Sequence, residues 1–329
     1  MKDYSDALQQ KLKGKRILFV GVKFYHFTDE IISKLKQHGA LVSFYYERDT
    51  SIAFGFAKSF RPSYADKLQE NHYKWVISDT RKKEFDCLLV IRGYEMKPWF
   101  VEQIKKDHPG IKTLLYQWDS YSNWECDYRP LIPYFDEVKT FDLQDAQELG
   151  LSYVPTFSSD EYASVPRQTQ CKYDLFYTGG YTTPRMEFLK QLMAYSQENN
   201  LRLFTHVVMP RKAFLKDWIT GTRYNTSLIS LKSLSKSEYL EIFTQSNVII
   251  DYTKDSQAGL TMRSLDVFAA GKKLLTNNAF VTRESYYNPE QSRIFDPKKF
   301  EVDREFATTV TSFPRQDFSI DKWLNSLFS

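Results

Sequence analysis

The hydrophobic and polar positions of the chain form two alternating patterns. Apolar runs such as 16–21 and 112–117 predict buried strands, whereas apolar residues spaced three or four positions apart over 28–38 and 98–107 predict helices. Strands that are apolar along most of their length are typical of parallel sheets covered by helices on both faces. The first strand–helix–strand unit lacks a G-x-G-x-x-G motif, which argues against a dinucleotide-dependent enzyme.

One crossover unit, which includes the stretch 256–278, carries the strongest signal for a binding site. A helix is predicted over 261–270, and Gly271 stands where a helix C-terminus favours positive φ. The N-terminus of a helix attracts phosphate through its unpaired amides and its dipole. Arg263 in the first turn could pair with that phosphate, and Asp266 could accept a ribose hydroxyl. The alternative interpretation is an ordinary crossover with a solvated Arg and Asp.

A second candidate for ligand binding follows the predicted strand 174–178. Gly179 and Gly180 predict a loop in which backbone amides can approach a ligand closely, and Arg185 lies near the start of the next helix. A glycine pair alone is weak evidence for such a loop.

Asp119 is the first candidate for a catalytic carboxylate. The strand 112–117 delivers it to the carboxyl edge of the predicted sheet, where ligands of open parallel sheets bind. The neighbouring Trp118 and Tyr121 offer aromatic faces on which a sugar could stack. A structural interpretation stays open, because Asp also caps helices and turns.

The segment 51–73 predicts an irregular loop that is rich in aromatic and basic residues. Phe56 and Phe60 alternate there with Lys58 and Arg61. Such a loop could contact anionic headgroups or a lipid-linked substrate. Alternatively, its aromatic side chains lie under the sheet and its cations lie outside.

Length and composition predict a globular protein with two domains. The 329 residues exceed one typical domain, and 42% hydrophobic and 26% charged residues allow a large core. Aromatic residues are unusually common at 16%, which suits sugar stacking as well as core packing. A net charge of +4 tolerates a phosphorylated ligand and does not require nucleic acid. The expected boundaries are 1–157 for the first domain, 158–172 for a linker, 173–312 for the second domain and 313–329 for a C-terminal helix that can pack back on the first domain.

The cysteine pattern and the lack of a targeting segment predict a cytoplasmic protein. Cys87, Cys126 and Cys171 are far apart and indicate neither a disulfide framework nor a zinc site, which favours a reducing compartment. The N-terminal residues are charged and unlike a signal peptide, and no run of about 18 apolar residues predicts a membrane span. Peripheral contact with the inner face of the cytoplasmic membrane is compatible with this location.

Five segments of the chain resemble one group of enzymes. LLYQWDSYSN, YFDEVKTFDLQDAQELGL, YDLFYTGGYTTPR, QAGLTMRSLDVFAAGKKLLTNN and YYNPEQSRIFD occur in that order. Together with two consecutive α/β domains, they resemble bacterial GT-B glycosyltransferases of capsule, exopolysaccharide and lipopolysaccharide assembly. The similarity extends from about residue 15 to the C-terminal tryptophan helix, and 257–263 is its most specific part.

The resemblance implies an α/β protein with two Rossmann-like domains in the GT-B arrangement and an active site in the cleft between them. It implies that the second domain binds a nucleotide-sugar donor and that the first faces a glycan or lipid-linked acceptor. No cofactor is expected, because the nucleotide sugar is itself a substrate. The expected donor-site residues are Gly179, Gly180, Arg185, Gln257, Gly259, Leu260, Thr261, Arg263 and Asp266.

The sequence departs from the better-known retaining GT-B enzymes at this helix. Those enzymes carry two Glu residues eight positions apart, where this chain has Ala258 and Asp266. The missing first Glu argues against a retaining mechanism of that type. An inverting route would use a carboxylate of the first domain as general base on the acceptor hydroxyl. Asp119 leads for this role, with Glu47 and Asp29 behind it.

The predicted chemistry does not require a metal ion. Helix amides, Arg263 and Arg185 would stabilise the departing diphosphate. Two other functions stay open, since the same fold could serve a nucleotide-sugar epimerase or hydrolase, or a glycan binder without catalysis. Transfer needs an acceptor, whereas an epimerase converts the donor alone.

Overall fold

The computed structural model describes residues 4–23, 26–122, 127–219, 228–254 and 257–329. The chain forms two compact units. Unit 1 comprises Met1–Phe157, Ser256–Leu260 and Phe318–Ser329, and unit 2 comprises Ser158–Asp255 and Thr261–Asp317. Each unit contains its own sheet.

Strands and helices alternate along the described chain. The strands are β1 (Arg16–Gly21), β2 (Leu41–Tyr46), β3 (Cys87–Ile91), β4 (Lys112–Gln117), β5 (Glu137–Thr140), β6 (Ser152–Tyr153), β7 (Tyr173–Gly180), β8 (Leu203–Val208), β9 (Ser246–Asp251), β10 (Lys273–Thr276) and β11 (Ser292–Ile294). The α-helices are α1 (Ser5–Leu12), α2 (Phe27–Gln37), α3 (Ile52–Phe60), α4 (Pro62–Thr80), α5 (Pro98–Asp107), α6 (Leu143–Leu149), α7 (Asp160–Ala163), α8 (Thr183–Glu198), α9 (Arg211–Ile219), α10 (Lys236–Thr244), α11 (Met262–Ala270), α12 (Arg304–Thr308) and α13 (Ile320–Leu327). Short 3₁₀ helices lie at Arg129–Tyr134 and Ala279–Arg283.

Both sheets are parallel and reverse their strand order once. The order is β2-β1-β3-β4-β5-β6 in unit 1 and β11-β10-β9-β7-β8 in unit 2. The paired strands run parallel throughout both sheets. The reversal lies between β1 and β3 in unit 1 and between β7 and β9 in unit 2. In open α/β sheets, ligands bind at the carboxyl ends of the strands on either side of such a reversal.

Each sheet buries its own apolar core. In unit 1 the core side chains of β1 and β3 pack against α4 and α5 through residues such as Leu18, Val90, Val76, Phe100 and Ile104. In unit 2 the side chains of β7 and β9 pack against α8 through residues such as Leu175, Ile250, Phe188 and Leu192. The strands are apolar in sequence because their side chains are buried on the faces of each sheet.

Several predicted elements and caps are confirmed. The strands β1 and β4 and the helix α5 begin and end at the predicted residues. The sequence also predicts a capping box from Ser235 and Glu238 and a helix cap from Asp142, and both are observed. Ser235 and Glu238 form the capping box of α10, and the side chain of Asp142 accepts from the first amides of α6. Gly271 ends α11 in the left-handed conformation, with φ of +67°. A residue with Cβ would be strained there, because the ideal Cβ also lies 2.4 Å from the carbonyl oxygen of Phe313.

The predicted loop at 51–73 is wrong, because these residues form α3 and the first part of α4. The Ser51 hydroxyl accepts the Phe54 N–H and caps α3, and Pro62 occupies the first turn of α4, where its missing N–H is not needed. Apolar residues lie on several sides of α3, with Phe54 buried and Phe56 exposed. The helical period is therefore not visible as a single apolar stripe.

Two further predictions of local structure are wrong. Gly179 and Gly180 continue β7 and pair with Val207 and Val208 of β8, because glycine backbone groups can form the same ladder hydrogen bonds as other residues. The sequence also predicts a helix over 282–288, but the structure has a 3₁₀ helix at Ala279–Arg283 instead. This helix starts earlier because the Asn278 side chain accepts from the Phe280 N–H and caps it.

The polar segment 158–172 lies in unit 2. It includes α7, and the guanidinium of Arg315 donates to the carbonyl oxygens of Ala163 and Val165. Hydrogen bonds to two carbonyl groups give this segment a defined path along unit 2.

The C-terminal helix α13 packs within unit 1. The ring of Trp323 is 3% exposed, and its centroid lies 5.1 Å from that of Tyr116 and 4.9 Å from that of Phe157. Lys139 of β5 donates to the carbonyl oxygens of Ser326 and Leu327 at 2.7 and 3.1 Å. An ammonium group at this position satisfies carbonyls that a helix end leaves unpaired. The helix therefore belongs to the core of unit 1 through both apolar and polar contacts.

Replacement of Trp323 by Ala should destabilise unit 1 strongly. The substitution leaves a cavity beside Tyr116 and Phe157, and truncation of a buried Trp costs about 3–5 kcal/mol. Urea unfolding followed by circular dichroism measures the change. Trp75→Ala is the matched control, because Trp75 is 54% exposed in the same unit and should cost much less. Equal losses in the two variants would contradict the packing role of α13.

Candidate functional site

The reversal of strand order in unit 2 brings two groups of polar residues to one sheet edge. β7 ends at Gly180, and β9 ends at Asp251. Tyr177 of β7 lies beside Ile250 of β9 in the sheet register, so the last residues of the two strands are neighbours. α8 follows β7 and α11 follows β9, and the N-terminal turns of these helices contribute Arg185 and Arg263. This edge is the candidate site of unit 2.

Asp251 organises the N-terminus of α11. Its Oδ2 accepts hydrogen bonds from the hydroxyls of Thr261 at 2.6 Å and Ser264 at 2.7 Å, and its Oδ1 lies 3.7 Å from the guanidinium of Arg263. The Thr261 hydroxyl also accepts the Ser264 N–H, which makes Thr261 the N-cap. Asp251 is only 2% exposed, so these donors compensate for the burial of its charge.

The guanidinium of Arg263 is fixed in direction by three neighbours. One Nη donates to the Thr178 hydroxyl at 3.0 Å, and Nε donates to the Tyr239 hydroxyl at 3.3 Å. Burial by itself would lower the pKa of Arg263, but Tyr239 and Asp251 outweigh this effect and the pKa lies above its ordinary value. The side chain keeps 23% of its surface exposed. Arg263 is therefore a permanent, oriented cation that an approaching anion can reach.

Arg185 lies at the same sheet edge and reaches the ends of both strands. Its Nη atoms lie 3.4 Å from the carbonyl oxygens of Gly180 and Tyr252, and its guanidinium lies 5.9 Å from the centre of the Tyr252 ring. Consecutive strand residues point to opposite faces of a sheet. Because Thr178 contacts Arg263 and the preceding Tyr177 packs on Phe188 of α8, the two arginines flank the end of β7 from opposite faces.

The hydroxyl of Tyr177 is buried at this edge without a hydrogen-bond partner among the described residues. The residue is 1% exposed, and the hydroxyl oxygen lies 3.4 Å from the position that a Cβ on Gly179 would occupy. Burial raises the pKa of Tyr177 to about 12, although the positive charges of Arg185 and Arg263 oppose this shift. The hydroxyl is therefore protonated near neutral pH and able to donate. A buried hydroxyl of this kind needs a water or a ligand atom as its partner, and its place near Arg185 and Arg263 makes a ligand atom a candidate.

The predicted residues Gln257, Gly259 and Leu260 lie in unit 1, although their neighbours in sequence lie in unit 2. The Gly259 N–H donates to Asp142 at 3.0 Å, and the Gln257 side chain donates to the Gly259 carbonyl. A Cβ at position 259 would lie 2.4 Å from the Phe141 ring, so only glycine fits. Leu260 is buried. The structure thus places this segment against the start of α6.

The predicted ribose ligand Asp266 lies one turn beyond Arg263 on α11. It is buried, and its Oδ1 accepts the Ser158 hydroxyl at 2.7 Å. α7, which follows Ser158 in sequence, packs against α11. A ribose hydroxyl at Asp266 would have to share the carboxylate with Ser158.

The carboxyl edge of unit 1 contains Asp119 within a second arginine–carboxylate group. The Asp119 carboxylate is 33% exposed and lies 3.9 Å from the guanidinium of Arg92. Arg92 follows β3 with φ of +74°, an uncommon conformation for a residue with a side chain. Its guanidinium also donates to Glu47, and its carbonyl accepts from the Gln117 side chain at 2.6 Å. Such local strain is common where a side chain must be held in a fixed direction.

The two other candidate bases have different environments. The side chain of Glu47 is 1% exposed, and its carboxylate accepts from Arg92 and from the N–H groups of Gly93 and Tyr94 at 3.0 and 2.9 Å. Burial raises the pKa of Glu47, and Arg92 opposes that shift. Since these donors surround the carboxylate, Glu47 is a structural clamp for the turn after β3. Asp29 is 61% exposed in the first turn of α2, with Lys23 at 3.7 Å.

Sequence reasoning missed Asp251, Tyr177 and Arg92. Asp251 is the polar residue that ends an apolar strand, which is the same signal that singled out Asp119. Arg92 also follows an apolar strand directly, before Gly93. Tyr177 offers no such signal, because an aromatic residue inside a strand is ordinary core composition.

Two features are absent from the residues that the structure describes. There, no set of three or more His, Cys, Asp or Glu side chains is arranged to hold a metal ion. In the same residues no helix is both long and apolar enough to cross a bilayer. Cys87 and Cys171 are free thiols, and Cys126 lies outside the described residues.

Comparison with known proteins gives matches in structure. No protein-family model and no curated protein matches the sequence. Among solved structures, MurG of Acinetobacter baumannii matches with a TM-score of 0.50 at 10% identity over 87% of each chain. S. aureus MnaA, solved with UDP, matches with a TM-score of 0.52 at 12% identity over 87% of this chain and 85% of that chain. A trehalose-phosphate synthase (UDP-forming) from Burkholderia xenovorans, solved with glucose-6-phosphate, matches with a TM-score of 0.54 at 12% identity over 86% of this chain and 89% of that chain.

The two parallel-sheet α/β units and these structural matches define the GT-B fold, with two Rossmann-like domains. The predicted fold class is thereby confirmed. At 10% and 12% identity the matches establish the fold alone. Because one fold serves several functions, the function has to be argued from the site residues.

Replacement of Tyr177 by Phe should stabilise the protein without ligand. The substitution removes a buried hydroxyl that has no partner among the described residues, and such a group costs about 1–3 kcal/mol. Thermal unfolding of the ligand-free protein measures the change. Tyr116→Phe is the matched control, because the Tyr116 hydroxyl donates to the Val154 carbonyl at 3.0 Å and its loss should destabilise. A clear loss of stability in Tyr177→Phe would mean that the hydroxyl has a partner in the folded protein.

Proposed function

We propose that the chain is a glycosyltransferase that moves a sugar from a nucleotide-diphosphate or nucleotide-monophosphate donor to a glycan or lipid-linked acceptor. The observation that carries the proposal is the group formed by Arg185, Arg263 and Tyr177 at the reversal point of unit 2. Two oriented guanidinium groups and a buried O–H donor at the end of parallel strands suit a phosphate-containing ligand.

The charge balance of this group favours an anion. Asp251 compensates one positive charge, while Arg185 and Arg263 together supply two. The first amides of α11 and α8 add the positive ends of two helix dipoles. A diphosphate would neutralise the remaining positive charge, and one of its oxygens could accept a hydrogen bond from the Tyr177 hydroxyl. The same cations would stabilise the charge that develops on the departing diphosphate, so the proposed mechanism uses no metal ion.

The remaining predicted donor residues have proposed roles of different kinds. Gly179 and Gly180 have no side chains at the end of β7, so a phosphate could approach the backbone there, near the Arg185 guanidinium. Asp266 is proposed to accept a hydrogen bond from a ribose hydroxyl. That hydroxyl would either displace the Ser158 hydroxyl or share the carboxylate with it. An indirect role is proposed for Gln257, Gly259 and Leu260. They fix the course of the backbone before α11, because the Gly259 N–H donates to Asp142.

Unit 1 is proposed to supply the general base. In the inverting route, Asp119 takes the proton of an acceptor hydroxyl while that oxygen forms a bond to the anomeric carbon of the donor. The bond from this carbon to the phosphate oxygen breaks, and its electron pair stays on the nucleotide. Partial exposure of Asp119 leaves room for an acceptor, and Arg92 and its clamp Glu47 position the surrounding turn.

Arg263→Ala should weaken the binding of nucleoside diphosphates by about 10- to 150-fold, since a charge-assisted hydrogen bond contributes about 1.5–3 kcal/mol. Calorimetry with UDP and a panel of other nucleoside diphosphates measures affinity, and UDP is the first probe because MnaA was solved with it. Tyr177→Phe should lower affinity by a smaller factor while stabilising the ligand-free protein. Arg202→Ala is the matched control, because Arg202 pairs with Asp174 at the opposite end of β7.

If Arg263→Ala binds nucleoside diphosphates as tightly as the wild type does, Arg263 does not belong to the donor site. Lack of binding to the wild type across the panel would contradict the donor site as a whole. A nucleotide that binds but whose sugar is converted or hydrolysed without an acceptor would establish the epimerase or hydrolase alternative.

Asp119→Asn should lower transfer by about 10²–10⁴-fold and leave nucleotide binding unchanged, because a general base contributes a factor of this size. The measurement is turnover at saturating donor and acceptor, together with nucleotide affinity. Glu84→Gln is the control, since Glu84 is an exposed carboxylate in the same unit and not a candidate base. Near-normal turnover in Asp119→Asn would leave Asp119 with the capping or turn-forming role, because Asn caps almost as well as Asp.

A further inference from the structure

Two hydrogen bonds attach the loop after β4 to the start of α6. The Ser120 hydroxyl donates to Asp142, and the Tyr121 N–H donates to Oδ2 of Asp145 at 2.9 Å. Ser120 and Tyr121 directly follow Asp119 in the chain, and all of these residues belong to unit 1. The backbone on the C-terminal side of Asp119 is therefore held by two carboxylates of α6.

The Tyr121 side chain strengthens this attachment. Its hydroxyl donates to Glu148, which lies one turn beyond Asp145 on α6. The guanidinium of Arg129 lies over the Tyr121 ring, 4.6 Å from its centre. Tyr121 thus fastens the loop through both its backbone and its side chain.

The backbone on the N-terminal side of Asp119 is held as well. The side chain of Gln117, the last residue of β4, donates to the Arg92 carbonyl at 2.6 Å, and the Gln117 carbonyl accepts the Phe141 N–H at 2.9 Å. The Asp119 side chain is 33% exposed and thus stands between two fixed parts of the chain. Supporting hydrogen bonds on both sides define where a reactive carboxylate lies.

The two carboxylates of α6 are themselves fixed. Asp142 accepts the N–H groups of Gln144 and Asp145 at 2.9 and 3.2 Å and caps the helix. Oδ2 of Asp145 also accepts the Tyr128 hydroxyl at 2.8 Å. Both acids are buried. A buried polar network whose members have partners is rigid, so these acids are firm attachment points for the loop.

The charge of Asp145 is an expensive part of this network. Burial raises the pKa of Asp145 to about 6. Two donors, the Tyr121 N–H and the Tyr128 hydroxyl, oppose this shift. The negative charges of Asp142 and Glu148 add to it. The carboxylate is still mostly ionised near neutral pH, and an ionised acceptor makes a stronger hydrogen bond than a neutral one.

We propose that Asp142 and Asp145 are positioning residues for the general base Asp119. They act through Ser120 and Tyr121, which they hold in the conformation that presents the Asp119 carboxylate at the carboxyl edge of the sheet. The inference rests on the proposed role of Asp119. A loose loop would lower turnover and leave nucleotide binding by unit 2 unchanged, because a displacement of about 1 Å can cost about 10²-fold in rate.

Turnover of the full-length protein at saturating donor and acceptor tests the proposal. Asp145→Ala should lower kcat by about 10- to 100-fold without changing UDP affinity. Asp145→Asn should restore most of the turnover, since its side-chain carbonyl can still accept the Tyr121 N–H. Asp136→Ala is the matched control, because Asp136 accepts the Thr113 N–H at 2.8 Å at the opposite end of β4.

Hydrogen exchange followed by mass spectrometry measures the attachment independently of turnover. In Asp145→Ala the Tyr121 amide should exchange about 10- to 150-fold faster, the factor for loss of one hydrogen bond to a charged group. Ser120→Ala removes only the bond to Asp142, so it is a milder second variant. It should speed exchange over residues 118–122 and lower kcat by a smaller factor.

Two results would overturn the positioning role while the base assignment stands. One is turnover in Asp145→Ala that is no lower than in Asp136→Ala, and the other is unchanged exchange at the Tyr121 amide. Failure of the proposed function looks different. The wild type then transfers no sugar, or Asp119→Asn keeps its turnover, and the positioning role is overturned together with the base.

Discussion

The candidate site of unit 2 depends on one buried carboxylate, that of Asp251. It stands at the end of β9 and holds the Thr261 and Ser264 hydroxyls as well as the guanidinium of Arg263. A buried charge of this kind is stable only when donors surround it, so strand, helix N-terminus and arginine are positioned together. The direction of Arg263 is therefore a consequence of how α11 is attached to the sheet. Loss of Asp251 would affect the site even though the carboxylate itself repels an anion.

Unit 1 uses the same arrangement at its own carboxyl edge. Glu47 after β2 is buried and holds Arg92, and Arg92 in turn lies beside the partly exposed Asp119. In both units a buried acid fixes an arginine at the edge where parallel sheets bind ligands. The difference lies in the third member, which is a carboxylate in unit 1 and the Tyr177 hydroxyl in unit 2. This difference suits deprotonation of an acceptor by unit 1 and binding of a phosphate by unit 2, as the proposed transfer requires.

A third buried carboxylate, Asp142, explains why the most specific motif of the sequence includes glycine. Asp142 caps α6, accepts from the Ser120 hydroxyl and also accepts the Gly259 N–H. The Phe141 ring fills the space where a side chain at position 259 would lie. The lack of a side chain at position 259 thus allows two chain segments of unit 1 to pack closely together. A phosphate-binding role for the Gly259 amide would require that amide to leave Asp142, so the proposed binding role falls to Arg185, Arg263 and Tyr177.

The sequence by itself determined the strand–helix alternation, the caps of α6, α10 and α11 and the positive φ at Gly271, because these features depend on residues close together in the chain. It also indicated Arg263 and Asp119 from their places after predicted strands. Only the tertiary structure decided which carboxylate meets which donor, since Asp142 and Gly259 are 117 positions apart and their pairing depends on strand order. The same holds for the unpartnered Tyr177 hydroxyl and for the exposed side of α3. Burial is a property of the neighbours that folding brings together, and local sequence patterns carry little information about them.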